Sequence, residues 1–205
     1  VILPIFPLPD VTLFPHTFMP LHVFEARYRA MVTDALTRDR RLAVVKLEPG
    51  WECDYDGKPP VACIAGAGAI VSCERLATGR YNIVVRGDWR VRLDRELPTD
   101  TLYRVVEARV VEEVPPAGDA KPLVDRLRAA CGELLDLLER PRNLLDTALG
   151  ADQRPGIIAD RVAATFISDP AMRQEFLETF SVDRRLERLV FVLERLVRDV
   201  RGKRE

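Results

Sequence analysis

The residues able to do chemistry are few and scattered. His16 and His22 lie outside the His-Glu-x-x-His spacing that would set two imidazoles on one helical face for zinc. Cys53, Cys63 and Cys73 follow an even ten-residue step and Cys131 stands far off, whereas zinc sites draw ligands from pairs only a few residues apart. The four cysteines therefore read as free, mostly buried thiols in a reducing cytoplasm. There is no Gly-x-Ser-x-Gly elbow and no Walker A loop. Gly66-Ala67-Gly68 opens like a dinucleotide fingerprint, but the third glycine is missing and no helix follows, so the pair reads as a bend in a strand. Among 32 Asp and Glu residues no pair is singled out by position as acid and base. The expectation is a chain with no catalytic residue, no metal and no cofactor.

The candidates for binding are of another kind. Glu25, Arg27 and Arg29 open a helix; Glu25 and Arg29 stand i, i+4 and suit a local ion pair, and the same charges suit clamping a peptide backbone or terminus. Phe191 falls nearly opposite the apolar stripe of the last helix, so it packs on a second neighbour or meets a partner. A net charge of -1 gives no general electrostatic basis for nucleic acid. Arg80, Arg86, Arg90 and Arg92 are the only local basic cluster, and strand alternation places the last three on one face. No apolar run reaches membrane-span length. The start, Val1 to Leu8, lacks a basic leader and is too short for a signal peptide, which fits a cytoplasmic protein.

The elements that must carry these residues change period midway. Residues 3 to about 114 are strand-like, and residues 121–201 helix-like, with Pro115-Pro116-Ala117-Gly118-Asp119 between them. The domains expected are 1–114 and 121–205. Short strands are predicted at 11–14, 42–47, 61–74 and 103–113. Tyr81, Ile83 and Val85, then Trp89, Val91 and Leu93, alternate on either side of Gly87-Asp88, which predicts a hairpin with a primed turn there. Phe24, Tyr28, Met31, Val32, Ala35 and Leu36 predict an amphipathic helix over 24–36. Further helices are predicted over 122–139 and about 156–167. Two more begin at Asp169-Pro170 and at Ser181, each a capping residue before a helical run. Glu194 and Arg198 stand as an i, i+4 pair on the last of them.

Three blocks carry a resemblance. The stretch from Leu3-Pro4-Ile5-Phe6-Pro7-Leu8 through Phe14-Pro15 to Met19-Pro20-Leu21-His22-Val23-Phe24-Glu25-Ala26-Arg27-Tyr28 resembles the opening of the Lon protease N-terminal domain family. The segment from Gly79 to Leu93, and the tail from Glu175 to Leu189, are also similar to that family. The resemblance implies an α+β fold: a PUA-like pseudo β-barrel of about six strands with one inserted helix, then an α-helical bundle. It implies the substrate-recognising part alone, without the ATPase and peptidase modules. The implied partners are unfolded or exposed hydrophobic protein segments, and a protease or chaperone with which the module would work as an adaptor in quality control. Binding of that kind needs accessible apolar surface or an open sheet edge. Phe6, Phe14, Phe18, Met19 and Leu21 offer more apolar bulk than their turns require, which places a peptide groove at the proline-rich lead, between barrel and helices; the alternative is that each is barrel core. RNA binding is the competing function, by analogy with PUA-like barrels alone.

Overall fold

The computed structural model of the chain describes residues 1–54, 57–150 and 154–203. They form two compact units, Val1–Val111 and Glu112–Glu205. The first holds β1 (Ile2–Leu8), β2 (Phe18–Val23), α1 (Ala26–Leu36), β3 (Arg41–Lys46), β4 (Ile64–Arg75), β5 (Tyr81–Leu97) and β6 (Val105–Val111). The strand order is β2-β5-β4-β3-β1-β6, with a further pairing of β6 to β5. Five strands thus return on themselves, while β2 lies outside the ring on the first half of β5. This is a six-stranded pseudo-barrel, not a clean barrel.

β1 serves both faces of the sheet. It runs parallel to β3 and antiparallel to β6. Leu3 and Ile5 join Ala43, Ala65, Ala67, Val91 and Ala108 in one core. So few strands enclose little volume, and the alanines fit that limit. Phe6 points the other way, into a second core with Tyr28, Met31, Val44 and Ile83, which the apolar face of α1 completes. The Phe6 and Tyr28 ring centroids are 4.3 Å apart.

Two sequence expectations fail here, for one reason. Residues 11–14 are not a strand: they cross over the sheet, with Leu13 and Phe14 wholly buried. A Cβ on Gly66 would lie 1.8 Å from the Leu13 carbonyl oxygen, and one on Gly87 would lie 2.1 Å from that of Phe14. Gly87-Asp88 is not a turn either, since residues 81–97 form a single strand. A primed turn needs positive φ, and Gly87 is not among the residues with it. Ala67 pairs with Trp89 and Gly68 with Gly87, leaving Asp88 as the extra residue of a bulge that bends β5. The hairpin turn lies earlier, where Leu76 N–H donates to the Arg80 carbonyl and Gly79 takes a φ of 77°.

The second unit contains α2 (Lys121–Leu137), α3 (Asn143–Leu149), α4 (Pro155–Phe166), α5 (Pro170–Glu178) and α6 (Val182–Gly202). Sequence reading foresees four of these and misses α3, which has no side-chain N-cap. Asp169 caps α5 by accepting from the Met172 N–H, and Ser181 caps α6 by accepting from that of Arg184. The expected Glu194–Arg198 pair gives way to a tertiary one: Glu194 accepts from Arg126 of α2 at 2.8 and 3.0 Å.

One polar cluster ties this unit together. Val114 N–H donates to Phe180, and the Val114 carbonyl accepts from Val182, so the segment after β6 is fixed to the start of α6. One turn on, the wholly buried Arg185 donates to Asp160 of α4, itself buried, and to Glu113. The Glu113 carboxylate sits against the first turn of α4, 2.4 Å from where Gly156 would place a Cβ. The positive end of that helix favours the charge.

The cysteines depart from a mostly buried set. Cys53 and Cys63 are exposed, Cys73 is half-buried, and only Cys131 is fully buried. Burial pushes the Cys131 thiol up to about 12, against a smaller opposing effect of Arg128.

Three outcomes follow. Gly66→Ala forces a methyl into a backbone carbonyl and should lose about 2–3 kcal/mol or more in urea unfolding, while Gly118→Ala, with open space around it, should change stability by less than about 0.5 kcal/mol. Arg185→Met removes the cation paired with the buried Asp160 and should lose about 3–5 kcal/mol, whereas Arg185→Met with Asp160→Leu should recover much of that in a double-mutant cycle. Alkylation of the native protein near neutral pH, read by peptide mass, should label Cys53 and Cys63 and leave Cys131 unmodified until the chain is unfolded.

Candidate functional site

The site builds up from the parity of β2. Gly87 N–H donates to the Thr17 carbonyl at 2.9 Å, and Phe18 pairs with Arg86. Antiparallel pairs alternate between bonded and non-bonded. The bonded pairs are therefore Met19–Val85, Leu21–Ile83 and Val23–Tyr81, and the main-chain groups of Phe18, Pro20 and His22 face away from β5. Pro20 has no N–H to offer, as suits an edge strand. The side chains alternate too. Met19 and Leu21 lean half-buried on the second core, while Phe18, Pro20 and His22 are exposed.

Phe24 extends this surface. The sequence pattern assigns it to the buried stripe of a helix, yet α1 begins only at Ala26, and the extended Glu25 (ψ 141°) breaks the helical phase before it. Phe24 is 58% exposed and Phe18 63% exposed. Asn82 donates to Glu74 at 3.0 Å, so its carbonyl oxygen accepts from His22 Nδ1 at 2.8 Å. This chain across β4, β5 and β2 holds the His22 ring stacked on Phe24, with centroids 6.2 Å apart. Phe18, Phe24 and the His22 imidazole thus stand exposed on a sheet edge that no other described strand pairs with.

The other expected residues disperse. Phe6 and Phe14 are core, unavailable to a partner while the unit is folded. Glu25 pairs with Arg27 at 3.0 Å. Arg29 packs toward the β4–β5 turn, its Nη1 3.2 Å from where Gly79 would place a Cβ, and its buried Nε has no hydrogen-bond acceptor. Phe191 is 60% exposed and belongs to the second unit, where it borders a shallow hollow of about 560 Å³ with Met172, Val192 and Leu196. Sequence reasoning missed Phe24. No local signal marked it: Glu25 makes no side-chain cap bond, and glutamate is not among the residue types that announce a helix start.

Among the described residues no three His, Cys, Asp or Glu side chains converge as a metal would require. Arg86 is held by Asp88 at 2.7 Å and Arg90 is buried, because the bulge at Asp88 breaks the alternation; the hairpin arginines therefore do not share one exposed face. No helix of the described residues is long and apolar enough to cross a membrane.

Comparison with known proteins shows the family and the fold. Residues 2–195 match the family described as the ATP-dependent protease La (LON) substrate-binding domain. The chain is 28% identical over 207 residues to Lon protease 2 of Sorangium cellulosum, covering 98% of this chain and 26% of that protein. It is 30% identical to the Lon protease of Roseiflexus castenholzii, covering 95% of this chain and 24% of that one. It spans about a quarter of the length of the curated relatives it matches. In fold it is similar to the N-terminal domain of the Mycobacterium avium complex Lon protease, with a TM-score of 0.75 at 20% identity over 95% of this chain and 98% of that one. A Lon N-terminal domain protein from Xanthomonas campestris gives 0.67 at 23% identity, over 93% and 97%. A pseudo-barrel carrying an aromatic edge, then a helical unit, matched over nearly its whole length, is a member of the Lon substrate-binding domain family.

Proposed function

We propose that this chain is a protein-binding module that holds exposed apolar segments of unfolded proteins, carries no catalysis of its own, and serves as an adaptor in cytoplasmic protein quality control. The observation that carries the reading is the unpartnered edge of β2, where Phe18 and Phe24 stand more than half exposed beside the half-buried Met19 and Leu21. Exposed aromatic side chains on a rigid strand lose little entropy on binding and present large apolar area. The outward carbonyls of Phe18, Pro20 and His22 accept hydrogen bonds from an extended peptide of any sequence, which suits a binder of many clients. Phe191 in the second unit is a separate apolar contact of the same kind.

The test is binding of a permanently unfolded, carboxymethylated client to the purified chain, followed by anisotropy. Binding at tens of micromolar or tighter is expected. The Phe18→Ser, Phe24→Ser double variant should bind about tenfold more weakly, with unchanged circular dichroism, since both rings are largely outside the core. No binding to any unfolded client, or binding indifferent to both rings, overturns the reading.

A further inference from the structure

An open sheet edge pairs with any extended chain, and the same edge of a second copy is always at hand. β2 is close to self-complementary. Its outward main-chain groups belong to Phe18, Pro20 and His22. An antiparallel pairing of β2 with the β2 of a second copy, two-fold about Pro20, would set Phe18 of each copy opposite His22 of the other. Residues opposed in this way point to one face of the sheet. Phe18, 63% exposed, would lie against the His22–Phe24 stack of the other copy, in which Phe24 is 58% exposed. The apolar side chains thus favour the association. Pro20 opposes it. Its ring stands in place of the N–H, where an opposing carbonyl would accept. At the two-fold centre the loss is doubled: each Pro20 faces the carbonyl of the other, and both carbonyls lose their donor. Sliding the register by two residues sets Pro20 opposite Phe18 or opposite His22, and both rings again meet the facing strand. Within β2, a two-fold pairing escapes Pro20 only by stopping at Phe18 or at His22 alone, with one bonded pair. An extended client with no proline of its own at that point meets one ring and keeps its hydrogen bonds to Phe18 and His22.

We propose that Pro20 denies the β2 edge to a second copy of this chain and so reserves it for extended segments of other proteins. The inference rests on the reading of this edge as the client site, and it names the residue that selects between the two competing occupants. The fold does not depend on the proline. Pro20 is exposed, and its nitrogen faces away from β5, so a restored N–H takes nothing from the pairing of β2 with β5.

Sedimentation velocity of the full chain, at concentrations up to about 100 micromolar, tests this against Pro20→Val, which restores the N–H and favours the extended backbone. The wild type should show no association through this edge, so Phe18→Ser should leave its sedimentation unchanged. Pro20→Val should self-associate at least about tenfold more tightly than the wild type. Adding Phe18→Ser to Pro20→Val should return it to wild-type behaviour. Pro20→Thr, which keeps the strand preference without the apolar side chain, should follow Pro20→Val. Folded variants that associate no more than the wild type overturn the proposal. Wild-type association that Phe18→Ser abolishes overturns it too, and so does loss of the native circular dichroism in both variants, which assigns Pro20 to the fold. If the unfolded client binds the wild type and neither variant associates, the role of Pro20 fails and the protein-binding reading stands. If Pro20→Val associates and no client binds, the protein-binding reading fails and the barrier to self-pairing stands.

Discussion

Two main-chain carbonyls, of Leu13 and Phe14, occupy the space where side chains of residues 66 and 87 would otherwise stand. The first unit is arranged around that close approach. It lets a buried segment that belongs to no strand lie across β4 and β5. It also delivers the chain to the outer side of β5, where β2 can pair with the first half of that strand only, since β6 pairs with the second half. β2 is therefore left with one edge open. The aromatic surface that motivates the proposed function is a geometric result of two glycines on the neighbouring strands, Gly87 of β5 and Gly66 of β4.

The same constraint explains what could be read in the sequence. Helices with local signals were legible: Asp169-Pro170 and Ser181 announce α5 and α6 through caps that depend on neighbours a few residues off. β3 was legible as a continuous apolar run, and the two halves of β5 by their alternation. The first strand contains Pro4 and Pro7 and so resembled an irregular lead. Its partners are β3 and β6, distant in sequence and invisible to local pattern. Gly87-Asp88 had the composition of a turn, but its glycine serves a close backbone approach and its aspartate a bulge. Of the binding candidates, Phe18 and Phe191 are exposed, while Phe6 and Phe14 are core. A strand buried on both faces, as β1 is, offers no period by which to tell its inward from its outward residues. The family resemblance was read from the identities of residues, not from period, and it was untouched by these errors.

The second unit uses polar burial where the first uses close packing. Arg185 is enclosed with Asp160 and reaches Glu113, so the segment entering the unit, α4 and α6 share one charged centre. Such a cluster contributes little net stability, since desolvation of the ions offsets much of their attraction. Its value is in register. Apolar helix faces pack tolerably in several rotations, whereas an arginine with two carboxylate partners is satisfied in one. The helical signals in the sequence say where α4 and α6 begin and end, and the ion cluster decides how they are set against each other.

Magnitudes bear on what kind of binding the β2 edge can perform. Burying the exposed part of two phenyl rings releases roughly 5 kcal/mol at about 25 cal/mol per Å². Immobilising a partner costs a comparable or larger amount, about 4–15 kcal/mol. The two rings alone hold nothing tightly. Useful affinity needs further contacts at the same time: the half-buried Met19 and Leu21, hydrogen bonds to the outward carbonyls of β2, and a second site on the same client. An unfolded chain can supply all of these at once because its apolar side chains and main chain are both accessible. A folded protein presents apolar groups singly, with its main chain already paired. On the proposed reading, individually weak contacts on one scaffold discriminate by the state of folding and not by sequence.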